Sequence, residues 1–180
     1  MGNKAYSILE IKSVDADKRE LTGIATTPTP DRSRDIIDPF GVKFAAEVPF
    51  LWQHEHGKPV GIARLGIPTS KGVPFVASIA KIDEDGPLKD ITDMAWQSIK
   101  AGLVRGVSIG FKSLSHEYLD NGGIKFNEID VYELSAVTVP ANAEATITSI
   151  KHFSTPEKER PVKLLQPRVD DLKGAVKLTA

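Results

Sequence analysis

Fourteen glycines and twelve prolines cut this 180-residue chain into short segments. Neither residue sits well inside a helix, so the punctuation points to many turns and a β-rich body. Between the breakers, apolar residues alternate with small or polar ones, the period of a half-buried strand. Tyr6, Ile8, Leu9 and Ile11 open the pattern, residues 21–26 resume it, and the polar stretch 14–20 between them reads as the turn of a hairpin. Residues 60–63 and 75–80 are further strands, parted by the turn-rich Pro68-Thr69-Ser70-Lys71-Gly72. Residues 104–114 and 124–139 flank Asp120-Asn121-Gly122-Gly123, and Asn-Gly between alternating runs signals a hairpin.

One segment has the helical period instead. Pro87 suits a first helical position, and Asp85 can accept from the free amides just inside it. Leu88, Ile91, Ala95 and Ile99 form an apolar face with Met94 beside it, and Gly102 is a natural stop. One helix in a strand-patterned body argues an α+β class, or a β-barrel with an attached helix.

Charge and composition narrow the function classes. Lys plus Arg is 23 and Asp plus Glu is 24, a net charge of −1. The chain therefore lacks the basic field of a general nucleic-acid binder. The absence of cysteine excludes a disulfide scaffold, thiolate zinc sites and a cysteine nucleophile. No apolar run approaches the ~20 residues of a membrane span, and Met1-Gly2-Asn3-Lys4-Ala5-Tyr6 does not read as a secretory signal. The expected partners thus exclude nucleic acid and membrane, and no cofactor motif is present.

The character of the chain changes near its end. Residues 1–152 read as one domain, and residues 153–180 as a linker and tail that begins with the charged Ser154-Thr155-Pro156-Glu157-Lys158-Glu159-Arg160-Pro161. Pro161-Val162-Lys163-Leu164-Leu165 and Ala175-Val176-Lys177-Leu178-Thr179 repeat a V-K-L core. The tail can be a short amphipathic segment, or each core can add as a strand to a substrate groove and so be trimmed or regulatory.

Three places carry chemistry. Gly106-Val107-Ser108-Ile109-Gly110 matches G-x-S-x-G, but not as a strand-to-helix nucleophile elbow: the helix precedes the serine, and Val107, Ile109 and Phe111 alternate onward as a strand. Ser108 and Gly110 then share the opposite face. His54 and His56 have the parity of Phe50 and Trp52, so all four project from one face if the segment stays extended. Either histidine can act as a general base toward a serine hydroxyl. His54-x-His56 is also a metal-ligand spacing, with His116 or a carboxylate as third ligand. Glu133 stands alone in the apolar run 131–139, where a buried carboxylate needs a partner. It is an edge-strand charge or an acid that orients the base, and Asp130 competes for that role.

These blocks together resemble a known family. Phe50-Leu51-Trp52-Gln53-His54-Glu55-His56 with Pro59-Val60-Gly61, then Val104-Arg105-Gly106-Val107-Ser108-Ile109-Gly110-Phe111, then Glu133-Leu134-Ser135-Ala136-Val137-Thr138-Val139-Pro140-Ala141-Asn142 look like the prohead serine proteases of tailed phages, in the same order and over roughly residues 6–152. The resemblance implies kinship with the herpesvirus assemblins. It implies their fold as well: mainly an antiparallel β-barrel of about seven strands with flanking helices. It places Ser108 as nucleophile, His54 as base and Glu133 as the third member. Arg105 and the Pro140-Ala141-Asn142 turn, Asn142 included, are candidates for holding the oxyanion. The implied activity is a capsid-maturation endopeptidase. It would act in the host cytoplasm inside the assembling prohead, on the scaffolding region of the major capsid protein and on its own chain, with self-association a further expectation. The rival readings are a non-enzymatic structural β-barrel of the phage head and a metal-dependent hydrolase built on His54 and His56.

Overall fold

In the computed structural model, which describes residues 10–12 and 18–151, the strand-patterned segments join in one ten-stranded sheet. Its strands are β1 (Glu10–Lys12), β2 (Arg19–Thr26), β3 (Ile36–Ile37), β4 (Val42–Phe44), β5 (Val48–Trp52), β6 (Pro59–Leu65), β7 (Val73–Ile79), β8 (Gly106–Tyr118), β9 (Ile124–Val137) and β10 (Ile147–Lys151). Helix α1 (Pro87–Lys100) links β7 to β8. The expected tail and the boundary before it lie outside the described residues.

The sheet is mixed and curled. β5, β6, β7 and β2 lie side by side in that order, each antiparallel to the next. β9 is the spine of the other half. β8 runs antiparallel along it, joined by the expected turn, where Gly122 takes a φ of 82° that favours glycine. Along the opposite edge of β9, β3, β4 and β5 follow one another, all parallel to it. The curl is drawn together where the amide of Val107 donates to Ala145 (3.0 Å) and that of Ile147 to Arg105 (2.9 Å), bringing the start of β8 against the approach to β10. β10 in turn pairs with β2.

The β-rich α+β body is therefore as expected, but its details differ. The sheet has ten strands, not about seven, it is not wholly antiparallel, and α1 is the one α-helix among the described residues. The parallel pairs have a simple origin. β3, β4 and β5 are short and successive, and they lie end to end on one edge of β9, so they share one direction. The expected hairpin at residues 6–26 is also corrected: β10 lies between β1 and β2, parallel to the first and antiparallel to the second. Local alternation identifies strands but not their partners.

Helix α1 begins at Pro87 as expected and is followed by Gly102 at φ 71°. Its N-cap is Gly86; the Asp85 carboxylate instead pairs with Lys89 at 3.1 Å. The buried face is rotated from the expected one. Thr92, Ala95, Trp96 and Ile99 are buried, while Leu88 and Met94 are about half exposed. Thr92 can lie inside because its hydroxyl donates to the carbonyls of Leu88 and Lys89 (3.0 and 3.1 Å). Ala95, Trp96 and Ile99 join a single core with Phe50, Val107 and Leu134. The opposite face of β8 and β9 carries the candidate chemistry.

Candidate active site

The position of Glu133 follows from a bulge. Along β9, Ile129 and Val131 are buried in the core, and so are Leu134 and Ala136, so the inward parity changes between them. The pairing shows where: Gly110 opposes Glu133 but Phe111 opposes Val131, so Tyr132 is an extra residue on β9. Without the bulge Glu133 would point with Val131 into the core. With it, Glu133 turns to the outer face, alongside Ser135 and opposite Gly110 and Ser108. It is nonetheless only 2% exposed, so its carboxylate must be satisfied. Oε2 accepts from the Ser135 hydroxyl at 2.7 Å, and Oε1 lies 2.7 Å from Nδ1 of His54.

His54 reaches Glu133 through a tight turn, and here the expectation is corrected. β5 ends at Trp52, and Gln53 and His54 both take left-handed conformations, φ 55° and 60°. The amide of Glu55 closes the turn onto the Trp52 carbonyl at 3.0 Å. His54 and His56 therefore do not extend the face of Phe50 and Trp52. Left-handed non-glycine residues cost roughly 1–2 kcal/mol each, so the turn is held from outside. The Gln53 amide donates to the Ala136 carbonyl (3.0 Å), and its side chain binds Thr138 (2.9 Å). The His54 amide donates to the Ser135 hydroxyl (3.1 Å). Ser135, fully buried, thus ties both the backbone of His54 and the carboxylate that meets its ring. Sequence reasoning missed Ser135; the signal was its place two residues from a lone acid in an apolar strand.

Ser108 lies directly opposite Ser135 in the β8–β9 pairing. Opposed residues of this kind have Cα atoms about 5 Å apart and side chains on one face, so Ser108 stands one strand's width from the residue that anchors His54. It is partly exposed, and a cavity of about 140 Å³ touches it from the side of Val107, Ile109 and Phe111, the face of β8 turned away from Glu133. The His54 ring is 43% exposed and faces Glu133 with Nδ1, which leaves Nε2 for another partner. A carboxylate only accepts, so Nδ1 donates to it and Nε2 is the basic nitrogen.

The other candidates lie elsewhere. Asp130 is exposed, beyond the bulge, and opposite Lys112. Arg105 precedes β8 and its Nε donates to the Gly102 carbonyl at 3.0 Å. Asn142 lines the cavity, but its side-chain amide donates to Thr27 (Oγ1, 3.0 Å) and its oxygen accepts from the Glu144 amide (2.9 Å). His56 packs edge-on against Tyr132, and His116 sits among Ser113, Tyr118 and Phe126 near the β8–β9 turn. Among the described residues, no three His, Cys, Asp or Glu side chains gather as a metal site.

Known proteins match most of the chain. The family model for caudovirus prohead serine proteases matches residues 40–159, a span that contains His54, Ser108 and Glu133. A capsid polyprotein of Pseudomonas phage PAJU2 is 48% identical over 157 residues, 87% of this chain and 24% of that protein. The chain thus spans about a quarter of that relative's length. The prohead protease of Escherichia phage T5 is 27% identical over 156 residues, 80% of this chain and 70% of that protein.

Proposed function

The chain belongs to the caudovirus prohead serine protease family, and we propose on that premise that it is a serine endopeptidase with Ser108 as nucleophile, His54 as general base and Glu133 as the acid that orients the base. The observation that carries this reading is the contact of His54 Nδ1 with a buried carboxylate whose other oxygen is already taken by Ser135. That carboxylate fixes the tautomer and favours the imidazolium that forms when Nε2 takes the Ser108 proton. The serine oxygen attacks the peptide carbonyl, a tetrahedral oxyanion forms, and the imidazolium returns its proton to the leaving amine.

The oxyanion needs donors fixed in advance. Asn142 can offer its backbone amide at the cavity wall, because its side chain is committed to Thr27. Arg105 could serve only by leaving Gly102. The substrate we propose is the scaffolding region of the major capsid protein, together with the protease's own chain, cleaved inside the prohead assembling in the host. The relative named a capsid polyprotein supports the capsid partner, since a protease-like segment and capsid protein would then come from one product.

The test is to incubate the purified chain with its major capsid protein and sequence the new termini. Defined cleavage by the wild type and none by Ser108→Ala is expected. Equal cleavage by both would reject the assignment.

A further inference from the structure

The turn that follows β9 folds round the edge of β8 at Ser108. β9 covers one edge of β8; on the other, among the described residues, β8 pairs only through the bridge of Gly106 to Thr146. A β-carbon on Gly106 would lie 2.7 Å from Cδ of Pro140, so Pro140 stands on the outer face, one step along from Ser108. By Ala145 the chain has reached the strand's edge, where its carbonyl accepts from the Val107 amide at 3.0 Å. Ala141 and Asn142 lie between these two contacts, and both border the cavity that touches Ser108. Ser135 and His54 approach Ser108 from the opposite side, over β9.

We propose that Arg32 is a positioning residue for the reaction, which aims the amides of Ala141 and Asn142 at the oxyanion formed on Ser108. The proposal rests on the reading of Ser108 as nucleophile. Arg32 Nε donates to the Pro140 carbonyl (2.9 Å) and the Arg32 amide to the Ala141 carbonyl (3.1 Å). Two successive carbonyls are thus turned to one residue. In a planar trans peptide the N–H points opposite to the C=O, and the described residues contain no cis peptide. The plane that gives Arg32 the Pro140 oxygen therefore turns the Ala141 N–H away from it. The next plane does the same to the Asn142 N–H. Neither amide donates to a described residue. Adjacent free amides on a fixed turn are the donors that a developing oxyanion needs. With the base over β9, the edge side is left for the oxygen of the attacked carbonyl.

Arg32 is itself held. Asp31 Oδ1 accepts from the amides of Ser33 and Asp35 (2.7 and 2.9 Å), which folds the loop into a tight turn around it. Asp35 Oδ1 ties that loop to the Ile124 amide (2.8 Å) at the start of β9. The far end of the 140–145 turn is fixed as well, because Glu144 Oε2 accepts from the hydroxyls of Thr27 and Thr29 (2.8 and 2.9 Å). The two peptide planes at the start of the turn are the ones that Arg32 grips.

The experiment uses the full chain, a peptide spanning a cleavage site in the capsid protein, and a trifluoromethyl ketone with the same acyl-side sequence. Addition of the Ser108 oxygen to that ketone makes a tetrahedral oxyanion without bond cleavage. Rates are referred to titrated active sites, and thermal melts are recorded. Loss of a whole oxyanion donor costs about 10²–10³ in turnover. Arg32→Ala keeps the backbone contact to Ala141 and releases only the Pro140 plane. Its kcat should fall by about tenfold or more with KM within about twofold, and ketone affinity should weaken by the same factor as kcat/KM. Arg32→Lys, which keeps a cationic donor, should recover part of both. A merely structural role would lower the melting point or the number of active sites and leave kcat per site unchanged. Unchanged kcat per site in Arg32→Ala, or a fall in kcat with ketone affinity unmoved, would overturn the positioning role while Ser108-dependent cleavage stands. Wild-type cleavage no greater than that of Ser108→Ala would remove the protease reading, and this proposal with it.

Discussion

A β-carbon built on Gly110 would lie 2.7 Å from Cγ and 2.8 Å from Cδ of Glu133, and closer still to Oε1, the atom that meets His54. The second glycine of the Gly106–Gly110 block therefore makes room for the carboxylate. Gly110→Ala must push Glu133 aside or distort the bulge. We expect a stability cost of roughly 1–3 kcal/mol and a turnover loss of about 10²-fold, the scale of a displaced catalytic group. Thermal melts and peptide kinetics check both.

His54 offers an inverted comparison. Alanine is normally better than glycine in folded chains, but the backbone here has φ 60°. Both His54→Gly and His54→Ala should be inactive, since both lack the base. His54→Gly should be the more stable of the two by about 1 kcal/mol. Denaturant unfolding of the pair measures it, and the usual order, alanine above glycine, would contradict the left-handed turn.

Ser135 is a positioning residue. Ser135→Ala leaves a buried carboxylate oxygen and the His54 amide without their partner. A loss of roughly 1–3 kcal/mol in stability is expected, with a fall in kcat larger than any change in KM. Ser135→Thr, which keeps the hydroxyl, should restore part of the turnover if it fits.

The two acids separate cleanly. Glu133→Gln should lower turnover by about 10⁴-fold while leaving residual activity, as loss of an orienting carboxylate does in serine proteases. Asp130→Asn, exposed and beyond the bulge, should stay near wild type. The reverse outcome would move the third role to Asp130.

His56 should matter little to chemistry. Its ring packs on Tyr132 and not on Glu133, so His56→Ala is expected to change turnover by less than about tenfold. An inactive His56→Ala beside an active His54→Ala would shift the base by two residues.

Much of this arrangement was legible in the sequence, because its signals are local. Alternation located β6, β7, β8 and β9, Asn121-Gly122 marked their longest hairpin, and Pro87 marked the start of α1. His54, Ser108 and Glu133 stood out as reactive residue types in apolar settings. What was hidden depends on distant partners. The insertion of β10 between β1 and β2 has no local signature. The left-handed turn at Gln53 and His54 is held by Ala136, Thr138 and Ser135, more than eighty residues away. The bulge at Tyr132 looks like uninterrupted strand in one dimension, yet it alone carries Glu133 to the outer face. The apolar face of α1 was misjudged for a related reason: Thr92 reads as polar, but its hydroxyl is satisfied within the helix.

The central claim, that Ser108 is activated by His54, is tested most directly by a fluorophosphonate probe followed by mass mapping of the modified residue. The wild-type chain should carry one adduct, on Ser108, formed in the folded protein and lost in both His54→Ala and the denatured chain. Cleavage of the capsid protein should fall in step with labelling. An unlabelled Ser108 in a preparation that cleaves, or equal labelling of Ser108 with and without His54, would contradict the account.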